Sequence, residues 1–327
     1  MVLIGCSRTT ALESTPLTDG AGDGTSTTTN STTTTSTSTS TTSTTSTTTT
    51  STTTTSTSPA TTTTVPATLS ASLHDPEALY VALYGFPGSR TLGCLGEQDV
   101  DEAVVRAAEV AAPYAEFGRR VVPTFEIIAS VASAEAGADE DYSNEFPTDR
   151  FLPWLDAAAA NGMHVVFDLQ TGRSRFPDQA REYEALWIHP HASIALDPEW
   201  RVGPEERPGG GRIGSVDAAE VNETIDYIDG LIRTHGLPPK MCIVHQFTPS
   251  MITDKTTIRG TENVRVVIQM DGFGTLEMKQ GSWGRTVRDL PDGALTGWKN
   301  FYDEDRPTPT PAETMSNDPT PHYVSYQ

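Results

Sequence analysis

Basic residues are scarce in this chain. Lysine and arginine together number 22 against 43 aspartates and glutamates, giving a net charge of −21. A surface of that sign repels phosphate backbones and anionic lipid headgroups. It argues against a nucleic-acid partner and suits neutral or cationic substrates. Cysteine is nearly absent, with only Cys6, Cys94 and Cys242. Cys242 begins one apolar strand and Cys94 follows another in a loop, so the two are expected at opposite ends of an α/β domain, too far apart for a disulfide. Their spacing fits no zinc motif, and two free thiols with no metal are expected. No Gly-x-Gly-x-x-Gly follows the first strand, so a dinucleotide fold has little support and no cofactor is expected. No stretch after Ser7 is long and apolar enough to cross a bilayer.

The amino-terminal quarter has a composition of its own. Leu3-Ile4-Gly5-Cys6 has the form of a bacterial lipobox with Cys6 as the lipidated residue. The charged n-region and most of the apolar h-region of a signal peptide are missing from residues 1–7, so the true start is expected upstream. From Thr25 to Ser58 every residue is Ser or Thr except Asn30. Such a tract has no apolar surface with which to offset its ordering entropy, so residues 8–70 are expected to be a disordered, stalk-like linker. The organisation expected is a signal remnant at 1–7, the linker at 8–70 and one folded domain at 71–327. That describes an extracellular monomer whose sole tie to the membrane is a lipid anchor at Cys6. Removing the three acids and one base of residues 1–70 leaves the domain 40 acids and 21 bases, a net −19.

Residues 71–327 are about the size of one eight-stranded βα barrel. Apolar runs at Leu79–Phe86, Val121–Ile128, Met163–Gln170, Ala192–Leu196, Met241–Phe247 and Val264–Asp271 read as buried parallel strands. Gly293–Phe301 is read as a seventh strand and Tyr323–Tyr326 as the last. Helical patterns lie between several of them: one after an Asp99/Glu102 capping pair, one capped by Thr148, one over Phe176–Trp187, and one capped by Ser215 and ended by Gly236. Ser130–Pro147 reads as a long polar loop. Strand, helix, strand at this spacing predicts a closed (β/α)8 TIM-type barrel.

In such a barrel the carboxyl ends of the strands converge on one face. Glu126, Asp168, Asp197, His245 and Asp271 end five of these strands, and Glu199 follows in the loop after Asp197. Carboxylates sharing a cleft push their pKa values apart, leaving one protonated near neutral pH. Glycosidic hydrolysis requires that division, one acid for the leaving oxygen and one carboxylate as base or nucleophile. Glu199, beside Trp200, is the candidate acid. Asp271 or Asp168 is the candidate partner, and Asp197 and Glu126 complete the catalytic candidates. Substrate contacts are expected from Tyr84, Gln170, Arg173, Trp200, Arg201, His245, Gln246, Phe273, Trp298 and Lys299. Several have plainer readings: Glu126 as the ion-pair partner of Arg173 or Arg201, Asp168 as a buried acceptor that fixes its loop, His245 as a hydrogen-bonded core histidine, and Asp197 as the organiser of a turn before Pro198.

Leu196–Arg201 (LDPEWR), Ile213–Asn222 (IGSVDAAEVN), Val244–Ile252 (VHQFTPSMI), Gly297–Asp305 (GWKNFYDED) and Val324–Gln327 (VSYQ) together resemble a family of secreted actinobacterial lipoproteins. The resemblance spans most of Leu79–Gln327. It implies secretion and a shared fold, and it brings no activity. In outline the domain is also similar to barrel glycosidases, without the diagnostic motif of any one family. Sequence therefore points to a hydrolase acting on a polysaccharide or cell-wall glycan. The alternatives are a barrel that binds such a glycan without cleaving it and a metal-assisted phosphodiesterase.

Overall fold

The computed structural model describes residues 78–327. The lipobox with Cys6, the Ser/Thr tract and the expected domain boundary near residue 71 lie outside the described residues.

Eight parallel strands close into a ring: β1 (Leu79–Gly85), β2 (Val121–Ala132), β3 (His164–Leu169), β4 (Ala192–Leu196), β5 (Lys240–Gln246), β6 (Val264–Met270), β7 (Leu295–Asn300) and β8 (Tyr323–Tyr326). Neighbours in sequence are neighbours in space, and β8 pairs with β1 through Tyr80 and Tyr323 to complete the circle. Between strands run α1 (Val100–Ala111), α2 (Leu152–Ala160), α3 (Phe176–Glu182), α4 (Glu184–Trp187), α5 (Ala218–His235), α6 (Leu276–Thr286) and α7 (Pro311–Met315). The β5 to β6 crossover has no α-helix: it carries 3-10 turns at Pro249–Met251 and Lys255–Thr257 and a short strand, Ile252–Thr253, that pairs with Val216–Asp217. There the buried Lys255 ammonium donates to the Gln246 side chain and to the carbonyls of Thr286 and Arg288.

Period-two alternation sorts the strand residues into two cores. Tyr80, Ala82, Val122, Val166, Ala195, Ile243, Val267 and Tyr323 fill the ring from inside. Leu79, Val81, Leu83, Phe125, Phe167, Val244, Ile268 and Val324 face outward against the helices. Both faces are buried, which is why the strands read as near-continuous apolar runs. The two described cysteines are free and buried.

Several local expectations are corrected. The stretch read as a polar loop from Ser130 begins as strand: β2 continues to Ala132 and pairs antiparallel with Ser143–Glu145. A register shift between Ile128 and Ser130 lets β2 hold β3 on one side while it turns toward that hairpin. The helix expected from Thr148 starts as a 3-10 turn and becomes α-helical at Leu152. The run from Phe176 to Trp187 breaks into two helices at Tyr183. α5 is capped by Asp217, whose carboxylate accepts from the Ala219 amide, not by Ser215.

One buried ion pair braces the loops at the carboxyl ends of β6 and β7. The Lys279 ammonium meets Asp305 at 2.9 Å with both side chains fully buried, and it also donates to the carbonyls of Gly272 and Lys299. Asp305 in turn accepts from the Gly274 and Phe301 amides. Asp305→Ala would leave a buried ammonium without its counter-charge, and the expected loss is about 3–5 kcal/mol. Urea unfolding with an unchanged m-value measures it; a loss under about 1 kcal/mol would show that the pair contributes little.

Candidate active site

Inward-facing positions near the carboxyl ends of the strands carry charge from nearly every side of the ring. β1 contributes Tyr84, β2 Glu126, β3 Asp168 and β5 His245. β7 contributes Lys299, while Asp197 and Asp271 stand one residue past β4 and β6. All are buried, with Glu126, Asp168 and His245 at 0% exposure and Asp271 at 8%. His245 is the hub. Its Nδ1 lies 2.7 Å from Asp271 Oδ2, and its Nε2 lies 3.1 Å from Glu126 Oε1 and 3.7 Å from Asp168 Oδ1. Lys299 Nζ stands 3.2 Å from the same Asp271 oxygen and 3.4 Å from the centre of the Tyr84 ring. The Tyr84 hydroxyl donates to Asp168 Oδ2 at 3.0 Å and accepts from Gln170 Nε2 at 3.4 Å.

Above this layer lies a small cleft of about 40 Å³, partly open to solvent. Tyr84, Gln170, Asp197, Glu199, Trp200, Asp271, Lys299 and Phe301 are among its lining residues. The loop carrying Glu199 and Trp200 is held by close backbone packing: the Gly214 amide donates to the Glu199 carbonyl, and the Ser215 amide to that of Arg201. A Cβ on Gly214 would fall 2.5–2.6 Å from the carbonyl oxygens of Pro198, Glu199 and Arg201, so only glycine fits there.

The carboxyls do not share one protonation state. Burial, then the charges of Glu199 and Asp168, hold Asp197 well above the usual carboxylate range. Burial and Glu126 raise Asp168 against the pull of His245. Burial also works against ionisation of Asp271, but the neighbouring His245 and Lys299 outweigh it and hold that carboxyl below its ordinary value. Burial alone would strip the proton from His245, yet Asp271, Asp168 and Glu126 raise it far above an ordinary imidazole. Lys299 is raised as well: four surrounding carboxylates, Asp271 foremost, overcome its desolvation. Tyr84, desolvated and faced by the same acids, keeps its phenolic proton.

Other sequence candidates point elsewhere. Gln246 and Trp298 adjoin His245 and Lys299 on their strands, so alternation turns both out of the ring. Gln246 accepts from Lys255, and Trp298 packs fully buried on Trp283 and donates to Asn300. Arg173 donates to the Glu206 carbonyl and stacks over Tyr142. Arg201 makes a two-point ion pair with Glu220 of α5. Glu126 therefore pairs with His245, not with either arginine. Phe273, half-buried, sits against Phe301. Sequence reasoning missed Ile128 and Phe301, which line the pocket, and Tyr323, the phenol inside the ring whose proton is held by burial and then by Glu126. Inward register from Tyr84 and Lys299 is the signal that marks Ile128 and Tyr323.

A raised carboxyl favours the protonated folded state. The stability it contributes is full below its unfolded pKa and falls as pH rises through the folded one. Asp197→Asn removes that penalty. The variant is expected to melt higher than the wild type at neutral and alkaline pH and to lose the advantage below about pH 4. A melting series from pH 3 to 9 checks it; a constant offset across the range would refute the assignment.

No protein-family model matches the chain, and no curated protein matches it. Among solved structures, a similar chain is the Clostridial cellulose synthase subunit Z (CcsZ) from Clostridioides difficile, at 10% identity and a TM-score of 0.39 over 76% of this chain and 91% of that one. A likeness that distant carries no argument about activity.

Proposed function

We propose that this barrel is a glycoside hydrolase acting on a polysaccharide by paired-carboxylate chemistry. One arrangement carries the reading: Asp197, whose carboxyl is pushed well above the usual range by burial and then by Glu199, and Asp271, which His245 and Lys299 hold below it, line the same pocket. Environments that drive two carboxyls apart supply an acid and a base at one pH. Asp197 gives its proton to the leaving glycosidic oxygen, with Glu199 beside it. Asp271 attacks the anomeric carbon or takes a proton from the attacking water. This moves the acid from Glu199, favoured on sequence, to its neighbour two residues earlier. Lys299, kept charged, is unsuited to amine nucleophilic catalysis, which disfavours a Schiff-base reaction. Trp200, Tyr84 and Phe301 are the aromatic residues that line the same pocket. On this reading a lipid at Cys6 and the Ser/Thr tract would hold the barrel outside the cell, where polysaccharide is found.

The test is release of reducing ends from a panel of neutral, acidic and amino-sugar polysaccharides. Asp271→Asn and Asp197→Asn are each expected to lower kcat about 10²–10⁴-fold with the fold intact by circular dichroism. Glycan binding by the wild type with no reducing ends released would replace the hydrolase with a binding barrel. Hydrolysis that survives both substitutions would move the chemistry elsewhere.

A further inference from the structure

Glu126 is fully buried on β2 and is not among the residues lining the pocket, so a substrate there does not meet it. By strict geometry neither of its oxygens holds a hydrogen bond among the described residues, but the Tyr323 hydroxyl faces it, and its nearest charged neighbour is His245 Nε2 at 3.1 Å. The other nitrogen of that ring, Nδ1, lies 2.7 Å from Asp271 Oδ2. A neutral imidazole has one N–H, and its second nitrogen presents a lone pair. In either neutral tautomer that lone pair would be pressed against a carboxylate oxygen, at 2.7 Å on one side or 3.1 Å on the other. With both carboxyls ionised, only the imidazolium, with a proton on each nitrogen, suits both distances; a neutral ring would need a protonated Glu126 donating to Nε2.

We propose that Glu126, His245 and Asp271 form a buried charge relay in which Glu126, out of reach of the substrate, fixes the imidazolium and through it the ionised state of Asp271 at the pocket. Glu126 is then a positioning residue acting through His245. The proposal deepens the hydrolase reading, because it concerns the carboxylate to which that reading gives the chemistry.

The groups around the ring agree with it. Asp168 on β3 lies farther from Nε2, at 3.7 Å, its other oxygen already accepts the Tyr84 hydroxyl, and burial raises its carboxyl. Tyr84 on β1 sets its ring edge-on to the imidazole at 6.2 Å. Tyr323 on β8 keeps its proton, and Asp197 beyond β4 is held protonated. Lys299 on β7 shares Asp271 Oδ2 with the imidazole. Gln269 on β6, whose amide donates to Ser325, adds no charge. Glu126 and Asp271 are left as the two carboxyl groups that the ring nitrogens face most closely.

The experiment uses the full chain labelled with ¹⁵N-histidine, the His245 ring being identified by its loss in His245→Asn. In the wild type both ring nitrogens are expected to carry protons at pH 8. In Glu126→Gln the ring is expected to be neutral at that pH, and in Glu126→Asp, which keeps the charge, to remain doubly protonated. A neutral wild-type ring overturns the proposal even if the glutamine variant does not fold, and so does a ring still doubly protonated in Glu126→Gln. These spectra stand whether or not the protein hydrolyses any glycan, so failure of the relay and failure of the hydrolase reading are separable. Where hydrolysis is observed, Glu126→Gln is expected to move the acidic limb of the kcat/KM profile upward by about one pH unit, with KM little changed and Glu126→Asp restoring the limb. An unmoved limb counts against the relay.

Discussion

Carrying Glu126, Asp168, Asp197 and Asp271 into the top of a closed barrel costs several kcal/mol per ion unless each is paired or neutralised. The ring meets that demand with two cations, His245 and Lys299, and both converge on one oxygen of Asp271. The remaining acids divide what is left. Glu126 takes the far nitrogen of the imidazole, Asp168 takes a hydroxyl, and Asp197 keeps its proton. The uneven protonation of these acids is thus how the buried charge is made tolerable. Moving either cation would disturb the neighbouring acids as well, because charges buried this deeply are only weakly screened.

The second cation is itself held from behind. Lys279 donates to the carbonyl of Lys299, and Asp305 secures Lys279 together with the amides of Gly274 and Phe301. The loops after β6 and β7, which flank Asp271 and Lys299, are therefore tied by a charge pair outside the ring. This builds the site on strand ends and braced loop bases, where its geometry is most reproducible.

Much of the barrel was legible because parallel strands covered on both faces leave apolar runs that composition alone reveals. The weakest runs, Leu295–Asn300 and Tyr323–Tyr326, were also found, although both hold polar residues that face into the ring. The crossover after β5 was harder to read, since 3-10 turns and a buried lysine replace the usual amphipathic helix. Within the site, the acids at strand ends were visible by their position. The errors came from naming adjacent residues together. His245 with Gln246, and Trp298 with Lys299, cannot both face inward on a pleated strand, and alternation would have separated them. Where the arginines end was not readable, because Arg173 donates to the backbone carbonyl of Glu206 and Arg201 pairs with Glu220, both on segments whose placement depends on the finished fold.

The distribution of tryptophan has an optical consequence. Trp154, Trp187, Trp283 and Trp298 are buried at 7% exposure or less, whereas Trp200 is half-buried and borders the pocket. A soluble collisional quencher will reach that indole before the other four. The emission it removes is a gauge of access to the cleft, and occupancy by an unlabelled, colourless molecule becomes readable from the fluorescence of the unmodified chain.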